Sequence, residues 1–243
     1  MCLRLKPKKD RTHPLNISIQ ISCISVLAAL SLLTACEISA PETHNLFWKR
    51  VMFENLELGR TYETLTIFAQ VWDANGIEDL DRLFVINDQA QLYWRLSSDD
   101  WVIDQSGSGA PWIGSTALAM PEDKSLPGGI YRVIVQDISG KTTEIRFQIT
   151  ENDGPRMTQL AEEINATLQG DELAVIGPFT EYELWAYLST GSRVFAVPFV
   201  DRIDVRSLLS NSTPHQELLL YIFASPSDDQ TAYLSGPYLW GLH

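Results

Sequence analysis

Apolar residues at every second position, broken by short clusters of turn formers, constrain this chain more than any other feature. In Thr64–Trp72 the apolar side chains fall at Leu65, Ile67, Ala69 and Val71, the period of a strand with one buried face. Asp73-Ala-Asn-Gly76 then reads as a turn, because Asn and Gly tolerate positive φ. Leu83–Ile86, Gln91–Leu96 and Trp101–Ile103 are further short β-branched or aromatic runs, and Ser106–Gly114 is a loop by composition. The clearest hairpin joins Gly129–Gln136 to Lys141–Ile149 through the turn Asp137-Ile-Ser-Gly140. Glu151–Pro155 is a cluster of turn formers that marks a domain boundary. Beyond it the β pattern returns at Glu172–Ile176, Tyr182–Leu188, Val194–Phe199 and Glu217–Ala224, with a last aromatic strand in the tail.

Two stretches are less regular. In Met157–Leu168, Leu160, Ile164 and Leu168 have helical spacing while Ile164, Ala166 and Leu168 alternate; we read it as helix. Asp204–Leu209 reads as one helical turn capped by Asp204.

About seven short strands in roughly 105 residues is the profile of an immunoglobulin-like or fibronectin-like sandwich. The expected fold class is therefore all-β, with two small β-sandwich domains over residues 47–150 and 151–243. VWDANGIEDLDRLFV and GGIYRVIVQDISGKTTEIRFQI resemble strands B–C and F–G of bacterial Ig-like domains. Those families place a Tyr-x-Val-x-Val-x-Asp-x-x-Gly strand and turn near their end, matched here by Tyr131, Val133, Val135, Asp137 and Gly140. The resemblance implies an architecture and no binding activity, and the Cys…Trp…Cys arrangement of antibody domains is absent. YRVIVQDISGK and YELWAYLSTGS form a faint internal echo, a hydrophobic strand followed by a Ser-Gly turn.

The N-terminus has a different character. Residues 1–35 carry five basic groups and one acid, followed by a largely apolar run from Ile17 to Leu33. A basic head before an apolar core is the layout of an export signal. The run is shorter than the about 20 apolar residues a spanning helix needs, and Ser18, Gln20, Ser22 and Ser25 interrupt it. Leu33-Thr34-Ala35-Cys36 resembles the lipobox of bacterial lipoproteins. That resemblance implies removal of residues 1–35, acylation of Cys36 and a short tether over residues 36–46. The protein would be held to a membrane by acyl chains and not span it, at ~0.8 kcal/mol per buried methylene. The implied location is the cell envelope. Glu37 stands where enteric inner-membrane lipoproteins carry Asp, a lean toward the outer membrane.

From Cys36 on, 13 basic residues face 30 acidic ones, a net charge of −17. That balance argues against a nucleic-acid partner, which would need clustered Lys and Arg. With Cys2 and Cys23 in the export signal, the remainder has no cysteine besides Cys36 and no disulfide. The histidines are His13, His44 in the tether, His215 in a loop and His243 at the end, none placed to serve a nucleophile. No hydrolase, zincin, phosphate-loop or dinucleotide motif occurs, so no catalytic residue is assigned and no enzyme is expected.

Asp73, Asn75, Glu78, Asp79 and Asp81 place five oxygen donors in nine positions, a candidate calcium loop and the one cofactor suggested. The competing reading is an Asx turn with solvated carboxylates. Tyr93 and Trp94 are adjacent on a strand and must face opposite ways, so one is exposed or covered by a neighbour. With Trp112 in the Ser/Gly/Pro loop they form a candidate binding surface. The expected function is that of a non-catalytic binding or structural module. The alternatives are an accessory subunit of an envelope complex, or a carbohydrate-binding or carbohydrate-active protein.

Overall fold

The computed structural model describes residues 39–105, 109–150, 158–159, 161–209, 217–226 and 230–241. Its regular structure is β, apart from single 3-10 turns at Ile77–Asp79, Pro121–Asp123 and Arg206–Leu208 and the helical residues Thr158–Gln159 and Ala161–Glu162. In the first half the strands are β1 (Glu42–Asn55), β2 (Arg60–Trp72), β3 (Leu80–Asn87), β4 (Leu92–Ser97), β5 (Val102–Asp104), β6 (Trp112–Ala119), β7 (Gly129–Asp137) and β8 (Thr142–Ile149). The second half adds β9 (Asn165–Gln169), β10 (Glu172–Ile176), β11 (Tyr182–Leu188), β12 (Arg193–Phe199), β13 (Arg202–Asp204), β14 (Leu218–Ala224) and β15 (Thr231–Trp240). The fold class is all-β, as the alternation requires.

The strands form three sheets. Eight make a wide sheet in the order β12-β11-β14-β15-β1-β2-β6-β5. β4-β3-β7-β8 and β13-β10-β9 make two smaller ones. The wide sheet crosses from one half of the chain to the other at β1, which pairs parallel with β15 (Arg50 opposite Thr231) and antiparallel with β2. From Ala40 onward the chain is one compact unit.

Two hydrophobic clusters lie against this sheet. The first packs Leu65, Ile67, Ala69 and Val71 of β2 and Ile113 of β6 against Leu83 and Val85 of β3 and Tyr131, Val133 and Val135 of β7. Fully burying a Leu or Val side chain contributes about 1.5–3 kcal/mol, so these alternating positions hold the two sheets together. The Tyr131 hydroxyl donates to Pro127 O at 2.7 Å, the corner contact found in Ig-like sandwiches. The second cluster packs Leu184, Ala186, Leu218, Leu220, Ile222 and Tyr233 of the wide sheet against Leu173 and Val175 of β10. Met52 of β1 belongs to this second cluster, while Leu46 and Trp48 of the same strand pack on the first.

Several sequence expectations are corrected. Glu42–Leu46 is not tether but the start of β1, because β2 extends to Trp72 and offers it a partner (Glu42 opposite Trp72). His44 accordingly sits at a bulge in β1, between paired Thr43 and Asn45. Trp112–Gly114 is strand and not loop; it pairs with both β2 and β5. Asn165–Leu168, read as helix, is strand. Among the described residues of this stretch only Thr158–Gln159 and Ala161–Glu162 are helical, and Asn165–Leu168 pairs with β10 instead. The turn after Asp204 is a 3-10 turn whose N-cap is Val205, and Asp204 Oδ1 accepts from Ser207 N within it at 3.2 Å. The two echoed turns share one geometry, with Gly140 and Gly191 both at φ 86°.

Candidate functional site

The two smaller sheets cover the same face of the wide sheet and leave the other open, because alternation divides β1 in two. Leu46, Trp48 and Met52 join the hydrophobic clusters, while Phe47, Lys49, Val51 and Phe53 line a groove on the opposite side. β11 and β14 divide in the same way, sending Trp185, Tyr187, Leu219, Tyr221 and Phe223 into the groove. Tyr62, Thr64 and Thr66 of β2 complete its floor, and Glu122 and Asp123 stand at its rim. The groove has a volume of about 1040 Å³ and bridges both halves of the chain.

Its walls are aromatic and tied together. Trp185 stacks on Phe223 with centroids 4.7 Å apart, and Tyr187 meets Tyr221 edge-on at 5.8 Å. Phe53 touches both Tyr62 and Tyr221. Lys49 lies over the Phe223 ring at 5.5 Å and donates to Ser225 Oγ; Arg60 lies over Tyr62 and pairs with Asp123 at 2.9 Å. The Trp185 indole N–H donates to Glu183 Oε2 at 2.7 Å. Burial, and then the nearby Glu57 carboxylate, push the Tyr221 phenol above its ordinary range. At neutral pH the groove therefore presents neutral rings and hydrocarbon with a few paired charges at its edge.

The residues singled out in the sequence do not gather here. Tyr93 is 68% exposed on the outer side of β4. Trp94 points the other way, packs on the first cluster and donates its indole N–H to Ala119 O at 3.2 Å. Trp112 opens β6 opposite Gln70, half-buried, and not at a loop tip. Cys36 lies outside the described residues. Among the described residues no helix is long and apolar enough to cross a membrane. The sequence shows Trp185 and Tyr187 as aromatics sharing one strand, but Tyr221 and Phe223 lie unmarked in a strand whose alternate residues are core. Their grouping depends on the order of strands in the sheet.

The candidate calcium loop is regrouped. Asp73, Asp79 and Asp137 place one carboxylate oxygen each within 4.8 Å of one another. Asn75 serves as a link: its backbone N–H donates to Asp73 Oδ1 at 2.7 Å and its side-chain amide to Asp79 Oδ2 at 3.2 Å. Asp81 instead pairs with Arg82 at 3.0 Å, and Glu78 stands apart from the three carboxylates. The sequence marks Asp137 as a turn former and as part of the Tyr-x-Val-x-Val-x-Asp-x-x-Gly pattern, not as a metal donor. Residues 73–79 and 137 are far apart in the chain and meet because β3 pairs with β7 (Leu80 opposite Asp137).

No family model matches the chain, and no curated protein matches it significantly. Among solved structures it is similar to dimeric latent PorU from Porphyromonas gingivalis, with 16% identity and a TM-score of 0.36, over 83% of this chain and 21% of that one. It is also similar to Tp47, the 47-kilodalton lipoprotein of Treponema pallidum, with 10% identity and a TM-score of 0.31, over 73% of this chain and 47% of that one. The chain thus spans less than half the length of either neighbour, and at these scores neither bears on its function.

Proposed function

We propose that this protein is a bacterial envelope lipoprotein, acylated at Cys36, that works without catalysis as a docking module for a protein partner. One observation carries the docking part: a continuous eight-stranded sheet has one face covered by two smaller sheets and the other lined with aromatic and apolar side chains. Rigid aromatic side chains on a sheet offer large contact area at little entropic cost. The lipoprotein part rests on the basic head, the apolar core and Leu33-Thr34-Ala35-Cys36, and the Tyr131 corner supports an Ig-like reading of the first sandwich. A sugar ligand is the weaker reading. Trp185 and Phe223 stack on each other, and Phe223 also meets Lys49, so the ring faces a pyranose would use are engaged.

A photoreactive phenylalanine analogue at Tyr187 tests the docking face in intact cells. The expected result is one dominant adduct with an envelope protein, lost in Trp185→Ala and absent from the same probe at Tyr93. Equal adducts from both positions overturn the reading. Labelling with a palmitate analogue tests the anchor: wild type takes label and Cys36→Ala does not, whereas equal label on both refutes acylation at that residue.

A further inference from the structure

We propose a divalent-cation site, suited to calcium, formed by Asp73, Asp79 and Asp137 at one end of the first sandwich and independent of the docking face. The argument starts from the backbone. Asp73 directly follows β2, Asp79 directly precedes β3, and Asp137 ends β7. The β3–β7 pairing and the hydrogen bond from Ile138 N to Asp79 O at 2.8 Å hold the last two side by side. Asn75 ties the first to the second. Three carboxylates converge to within 4.8 Å as a consequence.

The second observation concerns how their oxygens are used. Asp137 is 1% exposed. Its Oδ1 accepts from Ser139 Oγ at 2.8 Å and from Lys141 N at 2.7 Å, closing the hairpin turn. Its Oδ2 is shut off from solvent and accepts no hydrogen bond among the described residues, and the same holds for Asp73 Oδ2. A buried carboxylate oxygen left without a partner keeps its desolvation penalty, and like charges at this spacing repel. A bound cation removes both penalties at once. Two oxygens bound to one calcium at about 2.3–2.6 Å lie at most about 5 Å apart, so this spacing allows a shared ion. The donors are all hard oxygens, with neither imidazole nor thiolate among them, which suits calcium over zinc or copper. Three protein donors leave the remaining positions to water and main-chain carbonyls, a mixture calcium accepts readily.

The position gives the ion a role. Asp73 hangs from the wide sheet, whereas Asp79 and Asp137 belong to the four-stranded sheet, so the cation clips the two sheets together at this end. Binding to the folded state alone stabilises it by mass action. At calcium ten times above Kd, the expected rise in melting temperature is about 3–6 °C for a chain of this size.

The test uses the full-length chain in detergent, melted in EDTA and in CaCl2, with terbium luminescence sensitised by Trp72 as a direct binding probe; Trp72 adjoins Asp73 and is 45% exposed. Wild type is expected to gain stability in CaCl2 and to light terbium. Asp73→Asn and Asp79→Asn are expected to lose both responses while melting in EDTA no lower than wild type, since each removes a repulsive charge. Asp137→Asn keeps an acceptor for the hairpin turn and is expected to behave likewise. An absent calcium shift in wild type, a shift retained in Asp73→Asn/Asp79→Asn, or variants equally destabilised in EDTA and CaCl2 would each overturn the site.

Discussion

Arg50 and Glu63 are 2% and 4% exposed, on the covered face of the wide sheet between its two hydrophobic clusters. The guanidinium grips the carboxylate in a fork, Nη2 to Oε2 at 2.8 Å and Nε to Oε2 at 3.1 Å, and Glu63 also accepts from Leu126 N at 2.7 Å. Removing one partner of such a pair strands a buried charge. Glu63→Gln is expected to cost about 3–5 kcal/mol in urea unfolding. Arg50→Met/Glu63→Leu, which removes both charges, is expected to recover most of that loss. Among the described residues Arg50 Nη1 finds no hydrogen-bond partner, so the pair carries a desolvation cost that apolar side chains avoid.

Tyr233 allows a pH prediction at the same scale. Burial first, and then its hydrogen bond to the Glu54 carboxylate, drive the phenol far above its ordinary value of 10.0. Burial likewise raises Tyr131, Tyr182 and Tyr238. The folded protein therefore holds these phenolic protons more tightly than the unfolded chain does. Their contribution is intact below about pH 10 and is lost as the pH climbs toward the folded-state values. Urea midpoints measured between about pH 8 and about pH 11 should be flat and then fall. Tyr233→Phe should flatten the fall while lowering the plateau, because Glu54 loses a donor.

At the scale of elements, the pairing of β2 with β6 turns on one glycine. A Cβ at Gly114 would lie 1.9 Å from Ile67 O and 2.7 Å from Phe68 Cα, backbone that cannot move without opening the sheet. Gly114→Ala is expected to cost about 3 kcal/mol or more. Its amide exchange signature should be faster exchange in β6 before the rest of the sheet. Gly59 is the contrast: its φ is +62° but nothing lies within 4 Å of where a methyl would sit, so Gly59→Ala should cost about 1–2 kcal/mol from backbone strain alone. Equal losses at the two positions would show that the β2–β6 approach is not tight.

Elements also differ in how readable they are. β7 and β8 can be placed within a residue because one face is core and the other wet, so the period of two is clean. β1 gives no such signal. It is central, with Leu46, Trp48 and Met52 on one face and Phe47, Val51 and Phe53 on the other, and a strand apolar on both faces shows no alternation. β6 (WIGSTALA) hides for a different reason. Its Gly114 is where β2 approaches closely, and a stretch of small residues reads as loop.

For the whole molecule, β1 decides the cooperativity. It fills the gap between β15 and β2 and sends side chains into both clusters. Cutting the chain near residue 156 therefore should not yield two independent domains. The C-terminal piece loses Met52 and exposes the edge of β15 that β1 covers, an open edge that invites aggregation. Calorimetry of the intact chain should show one transition, and the isolated C-terminal piece should lack the near-UV signal of packed aromatics.

By itself the sequence determined the all-β class and most strand positions, because these depend on local periodicity and on neighbours in the chain. It also located the acidic loop after β2. The tertiary structure decided what the loop meets, since Asp137 reaches Asp73 and Asp79 only through the pairing of β3 with β7. It likewise decided that two apparent domains share one sheet and that the aromatic side chains of several strands lie on one face. The physical reason is the same in each case. Backbone pairing between distant strands is specified by the packing of whole sheets, and no short stretch of sequence records its eventual partner.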